Sequence, residues 1–278
     1  MIGPDGSLVR ERVSLLARAP WWLLVVLLAA TLVGWRVATD TLYLDIFKRL
    51  LSGLGLTVAV TAVAVAAPLA IGLGLAAALS LVSDNPIRRQ AALLFVQVVR
   101  GVPILVQIFV VAFVLVPLGV SAVQWLGRLA PALEPLSRLQ PADVPMVARV
   151  VLALVLAYGA FTAETLRGGL TSLARGQAEA ARALGLTRRQ TLRHVLLPQT
   201  FRRVLPTLGN DLICLLKDSS LVSVLGVRDI TQEARLFASA TFRYTETLTL
   251  VAFLYLALAL LIALLVRALE RRYRRHAA

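Results

Sequence analysis

The sequence predicts an all-α, polytopic membrane protein with six spanning helices and both termini on the cytoplasmic side. Three observations predict it. Apolar side chains make up 59% of the 278 residues and charged ones 16%, against about 25% charged in soluble domains, and the mean hydropathy is +0.81. Long runs carry no charge at all. The basic residues are also distributed unevenly between the two sets of connecting segments.

A helix needs about 20 mainly apolar residues to cross a bilayer. Leu50–Ser83, Gly101–Gly127 and Thr247–Val266 meet that length without a charge. Trp21–Ala38 carries Arg36 near its end, and Val147–Ala163 carries Arg149. Thr207–Val227 is apolar apart from Asp211, Lys217 and Asp218. With both ends inside, segments 1–20, 84–90, 167–206 and 267–278 face the cytoplasm and are rich in arginine, whereas 39–50, 118–146 and 228–246 have balanced charge. That asymmetry sets orientation by the positive-inside rule. It also accounts for the formal charge of +14 through topology and anionic lipid, so nucleic acid is not expected as a partner. The arginine-rich tail after Arg267 reads as a topology anchor and membrane-lipid patch.

Taken in order, residues 1–20 form a polar lead and 21–38 an uncleaved first span. Leu50–Ser83 amounts to about 50 Å of helix, more than a crossing needs, and reads as one span preceded by an interfacial turn, with Pro68 as a kink. A hairpin of two short spans there would invert everything downstream. The run of small residues including Ala62, Ala66, Ala70, Gly72, Gly74 and Ala76 suits close helix approach in lipid, within the subunit or between subunits. In the third span, Pro103 after Gly101 should break the hydrogen-bond ladder. Arg100 lies too deep to be a solvated face and needs a carboxylate, carbonyls or a water-filled cavity; Asp218 and Glu164 are the candidate counterions. The stretch 118–146 is proline-rich and reads as an ordered surface loop for a soluble partner. Cys214 is the single cysteine, which excludes an intramolecular disulfide and a cysteine metal cluster; His194 and His276 have no metal-ligand company, and no metal or cofactor is expected.

One segment does not suit lipid. Ser172–Leu184 is rich in helix-forming residues, Gly185 should turn the chain, and Thr187 with Gln190 has capping-box spacing for a second helix, which Pro198 should limit. Its arginines allow an interfacial helix on anionic lipid, while the small surface of Ala178, Ala180, Ala181 and Ala183 favours docking of another protein. Lys217 and Asp218, adjacent in the fifth span, point to different helix faces. They fit either an internal polar network or a solute path.

The segment resembles the EAA loop of integral membrane permeases of ABC importers: Glu179, Ala180 and Ala181, then Gly185, then Leu197 and Pro198. The surrounding motifs resemble the polar amino acid uptake branch, the histidine and glutamine permease type. They are Arg100–Gly101–Val102–Pro103, Ala163–Glu164, Arg167–Gly168–Gly169, Gly176–Gln177, Leu205–Pro206, Asn210 and Leu216–Lys217–Asp218–Ser219–Ser220–Leu221. Val102 and Ser219 stand where threonine is common in that branch. The similarity runs from about Leu54 to Glu270. It implies a five-helix ABC importer permease core at 50–270 with its cytoplasmic EAA loop at 171–200, an additional transmembrane helix at 21–38 and a basic cytoplasmic tail at 271–278.

The resemblance implies a cell inner membrane location. Its expected partners are cytoplasmic ABC ATPase subunits, an extracytoplasmic solute-binding protein, a second permease subunit identical or related, and a small polar solute. ATPase docking falls to Gly176, Gln177, Glu179, Ala180, Ala181, Leu184, Gly185, Leu197 and Pro198. The solute path or internal network falls to Arg100, Glu164, Asn210, Lys217, Asp218, Ser219 and Ser220. No catalytic residue is expected, and no phosphate-binding GK[ST] loop is present in the sequence, so ATP hydrolysis belongs to a partner. An ion-coupled secondary transporter, with a buried carboxylate such as Asp218 as the ion site, and a membrane scaffold are the competing classes.

Overall fold

The computed structural model describes residues 21–79, 86–129, 131–173 and 175–275. The expected lead 1–20, the end of the second span at Ser80–Ser83, His276, and the side chains of Arg274 and Arg275 lie outside the described residues. Nine helices organise the described part: α1 Trp21–Thr39, α2 Thr41–Leu79, α3 Pro86–Gly101, α4 Ile104–Gly127, α5 Met146–Ser172, α6 Arg175–Ala183, α7 Leu197–Asp218, α8 Ile230–Thr241 and α9 Tyr244–Arg275. Short 3₁₀ turns cover Pro131–Arg138, Pro141–Asp143 and Ser219–Leu225.

Four of these helices, α2, α4, α5 and α9, are long and apolar enough to cross a membrane, with α1 as a shorter apolar helix. In α5 61% of the apolar window is buried, against 28% in α2 and in α4 and 6% in α9. That makes α5 the centre of the bundle. Its Val150, Ala153, Leu154, Ala157 and Tyr158 pack with Val60 and Ala64 of α2, Ile108 and Val111 of α4 and Leu215 of α7.

The helices approach closely where glycine replaces a side chain, as expected where lipid supplies little drive for association. A Cβ on Gly72 would meet Thr162 Cγ2 at 2.6 Å, and one on Gly169 would meet Val204 Cγ1 at 2.4 Å. Small residues of α2 divide between two faces: Gly53, Ala64, Gly72 and Ala76 are buried, while Gly55, Ala59, Ala62, Ala66, Ala70 and Gly74 form an exposed stripe.

Several sequence expectations are corrected. No turn precedes the second span: α2 is helical from Thr41, because the Asp40 carboxylate accepts the Leu42 N–H at 2.9 Å and the segment has no helix breaker. The stretch 39–50 is therefore helix rather than loop. The stretch Thr207–Val227, expected as a span, is not one continuous helix, and α7 is not among the helices long and apolar enough to cross a membrane. Its helix runs Leu197–Asp218 and gives way to the 3₁₀ segment Ser219–Leu225, so Lys217 and Asp218 lie at a helix end and not mid-span. The loop helix expected from Ser172 starts at Arg175, since Ser172 still belongs to α5 and Leu173 is extended.

Pro198 does not stop the helix it enters. A proline ring clashes with the carbonyl four residues back, and the chain avoids this with a π turn, Thr191–Leu196, where Leu197 N–H bonds Leu192 O, five residues back. The same device recurs in α4, where the π turn Val111–Leu115 precedes Pro117 and Val116 N–H bonds Val111 O. At Pro103 the expected break does occur. Pro103 has extended ψ, 139°, and begins α4, while Gln107 Nε2 donates to Val99 O and Val102 O, both at 2.7 Å. Val99 is the residue whose carbonyl Pro103 cannot serve.

At the end of the bundle where α5 begins, α8 is fastened to α2. Thr57 Oγ1 accepts Ile230 N–H at 3.3 Å, and Arg49 Nε lies 2.7 Å from the buried Glu233 Oε2. Asp229, fully buried, caps α8 by accepting Gln232 N–H at 2.8 Å. Burial pushes its carboxyl up from the ordinary carboxylate range, against the pull of the Gln232 and Thr231 amides and the Tyr255 hydroxyl. Gly53 permits this junction, since a Cβ there would lie 2.4 Å from the Asp229 carbonyl carbon. Backbone cannot yield as a side chain does. Gly53→Ala should therefore lower stability by about 1–3 kcal/mol in detergent thermal melts. Gly55→Ala, which meets nothing within 4 Å, should leave the melt unchanged.

Candidate functional site

Two groups of residues singled out in the sequence occupy different parts of the chain. The first is the polar segment between α5 and α7. Its helix α6 ends in a Schellman motif: Leu186 N–H bonds Ala181 O at 3.1 Å and Gly185 N–H bonds Arg182 O at 2.9 Å, with Gly185 at φ 79°. This left-handed conformation suits glycine and penalises any residue bearing a Cβ. Thr187 then caps the next turn. Its Oγ1 accepts Gln190 N–H at 3.3 Å, and Gln190 Oε1 accepts Thr187 N–H at 2.9 Å, which is the capping box that the spacing predicts.

The root of this segment is tied to the bundle while its tip is bare. Arg203 donates to Ser172 O at 3.1 Å, capping the last turn of α5, and Gln199 Nε2 reaches Gln177 Oε1 at 3.5 Å. Ala181 is buried beneath α6. Gly176, Gln177, Glu179, Ala180, Gly185 and Pro198 are exposed and Leu197 is half-buried. Leu184, at the tip, is 82% exposed. Arg182, Arg188, Arg189 and Arg193, within nine residues of it along the chain, are also exposed.

The second group lines α5 and α7. Glu164 accepts from Arg167 Nε at 2.9 Å and from Arg167 NH2 at 2.5 Å, a two-pronged pair that holds both side chains in one plane. Arg100 NH1 lies 3.8 Å from Glu164 Oε1. Of the two counterions the sequence offers for Arg100, Glu164 is the neighbour, and Asp218 instead accepts the Tyr158 hydroxyl at 2.7 Å. Seven residues after Tyr158 along α5, toward segment 176–198, Thr165 Oγ1 donates to Asp211 Oδ2 at 3.3 Å. Ser219, 1% exposed, receives Thr61 Oγ1 at 3.3 Å and donates to Leu216 O at 2.7 Å. Ser220 is half-buried, while Asn210 and Lys217 are exposed. Lys217 forms no ion pair among the described residues.

Sequence reasoning missed Tyr158, Thr165, Thr61 and Gln107, each a polar side chain inside an otherwise apolar helix. Their signal was the polar atom itself: a hydroxyl or amide in hydrocarbon needs a partner. Arg149 was noted only as a charge in its span. It is 7% exposed and buried against carbonyls.

Comparisons with known proteins identify the family. Residues 70–275 match the family model described as binding-protein-dependent transport system inner membrane component. The chain is 36% identical over 186 residues to the glutamine transport system permease protein GlnP of Escherichia coli (strain K12), covering 67% of this chain and 76% of that protein. It is 32% identical over 195 residues to the probable amino-acid permease protein YxeN of Bacillus subtilis (strain 168), covering 69% and 79%. The crystal structure of an amino acid ABC transporter with histidines superposes with a TM-score of 0.66 at 30% identity, covering 82% of this chain and 96% of that one. The protein is thus a multi-pass component of the inner membrane and the permease subunit of an ATP-driven importer. It belongs to the family of binding-protein-dependent transport system inner membrane components.

Proposed function

We propose that this permease passes a polar amino acid and is driven by a separate ATPase that docks on residues 176–198. The observation that carries the docking assignment is the contrast within that segment. A tightly capped helix and turn, fixed to α5 and α7 at the root, present Leu184 at 82% exposure beside the exposed Glu179. An apolar side chain held out by a rigid turn among cations suits insertion into a protein groove better than solution. Docking then places this end of the bundle in the cytoplasm. The end bearing 128–145 and α8 faces outward, toward a solute-binding protein. ATP hydrolysis resides in the partner, and a second permease subunit, identical or related, completes the pathway.

The polar amino acid assignment draws on the relatives named above, which include a glutamine permease and an amino acid transporter with histidines. Within this chain, Tyr158 and Asp218 hold each other, which suits a structural pair. Lys217 is exposed at the end of α7 with no acidic partner among the described residues. An ammonium group so placed in a membrane helix belongs in a water-filled cavity, where it can meet a solute carboxylate.

Two outcomes test this reading. Gly185→Asp puts a Cβ into the left-handed region at a cost of about 1–2 kcal/mol and a charge beside the tip. Folded permease should remain in the membrane but lose the ATPase on co-purification, as should Leu184→Asp. Unchanged ATPase-coupled uptake by Gly185→Asp would overturn the docking assignment. Lys217→Gln should retain the ATPase yet lower solute-stimulated ATP hydrolysis about tenfold, as expected for loss of a charge-assisted bond; a wild-type response would remove Lys217 from the path.

A further inference from the structure

The buried cation at the start of α5 has no role in the reading above. Arg149 is 7% exposed and pairs with no carboxylate among the described residues. Its partners are main-chain carbonyls drawn from two separate parts of the chain. Nε donates to Val144 O at 3.0 Å, NH1 to Ala112 O at 2.9 Å, and NH2 to Pro141 O. Burying a guanidinium is costly unless its donors are matched, so three acceptors placed on one fork indicate a selected geometry.

The Ala112 contact follows from the sequence. In a regular helix Ala112 O would receive Val116 N–H, but in the π turn that amide goes to Val111 O. The next residue along is Pro117, which has no N–H. Ala112 is fully buried, so water is not at hand, and Arg149 supplies the donor. The other two contacts hold the loop that enters α5. That loop is fixed again by Gln124 Nε2, which donates to Leu139 O at 2.6 Å, and by Gln140 N–H, which donates to Asp143 Oδ2 at 2.7 Å. Residues 139–145 are thereby given one shape, with Gln140, Ala142, Asp143 and Pro145 presented outward.

We propose that Arg149 is a positioning residue for import: it holds residues 139–145 as a preformed contact surface for the solute-binding protein and ties that surface to the π turn of α4. This rests on the orientation given under the proposed function. A surface that is already ordered binds without the cost of ordering it, so loosening it weakens docking and leaves the maximal rate in place. Lysine keeps the charge but lacks the planar fork and cannot serve three carbonyls.

The test uses the permease assembled with its ATPase in proteoliposomes, with the solute-binding protein, loaded with L-glutamine and separately with L-arginine, titrated against ATP hydrolysis. Arg149→Lys should raise the half-maximal concentration about tenfold while the rate at saturation is retained. Pro117→Ala returns an N–H to α4, which lets the regular ladder re-form and Val116 serve Ala112. The double variant Arg149→Gln with Pro117→Ala should therefore regain the melting temperature lost in Arg149→Gln, and its half-maximal concentration should stay high. If Pro117→Ala restored docking together with stability, or if Arg149→Lys titrated like the wild type, Arg149 would be a packing residue only. In the permease alone, amide exchange at residues 139–145 should rise in Arg149→Lys, and an unchanged exchange rate would overturn the proposal by itself. A wild-type complex that the loaded binding protein does not stimulate would count against the import reading and its orientation, while the exchange measurement still decides whether Arg149 shapes the loop.

Discussion

Every main-chain carbonyl inside a bilayer needs a donor from within the protein, and this chain repeatedly removes such donors with proline. Hydrocarbon offers no water to make good the loss, which costs several kcal/mol for each group left bare. At Pro103 the helix breaks and Gln107 reaches the carbonyls of Val99 and Val102. Before Pro117 the helix widens into a π turn and Arg149 reaches Ala112. Both side chains would look out of place in an apolar helix if read alone. Each serves one carbonyl whose donor a proline four or five residues beyond has removed, Val99 before Pro103 and Ala112 before Pro117.

A bundle built under this constraint has its polar contacts concentrated where helices approach closely. The glycines of α2 and α5 bring neighbouring backbones near enough for short side chains to bridge them. Thr57 reaches the amide of Ile230 beside Gly53, and Thr165 reaches Asp211 four residues before Gly169. The outcome is a set of side-chain hydrogen bonds that join α2 and α5 to α7 and the 3₁₀ segment after it, from Thr61–Ser219 to Tyr158–Asp218. Lys217, on the same helix, takes no part in them. Under the solute-path reading proposed above, the difference separates side chains that hold the bundle together from one left to meet a solute.

The class of fold and the local structure of segment 176–198 were legible because they rest on local signals. Apolar length specifies a span, the Gly185 turn follows from the need for a left-handed residue, and Thr187–Gln190 is a capping box within four residues. The end of α7 was not legible. Asp211, Lys217 and Asp218 were read as charges inside a continuous apolar stretch, whereas the helix ends at Asp218 and the apolar residues after it form a 3₁₀ segment packed on α2 and α5. Pro198 misled for a related reason. A proline forbids an ordinary α turn but not a π turn, and no residue in the local sequence marks the π turn that forms at Thr191–Leu196. The role of Arg149 was hidden because its acceptors are carbonyls, which carry no mark in the sequence.

The two π turns also differ in a way that bears on coupling. The one in α4 lies in the core, and its displaced carbonyl is bonded by a side chain. In the one before α7, Leu197 N–H goes to Leu192 and Pro198 has no N–H, so the Arg193 carbonyl loses both donors that a helix would offer, and it does so in an exposed segment where water can bond it. Strain relieved by solvent costs little to rearrange, whereas strain relieved by a buried guanidinium does not. Under the docking proposed above, a displacement at Leu184 enters α7 through the easier of the two turns. It then meets α5 at Gly169, where Thr200 and Val204 fill the space a side chain would take. From there it can pass along α7 as a rigid helix to Lys217, while the outer loop stays anchored by Arg149.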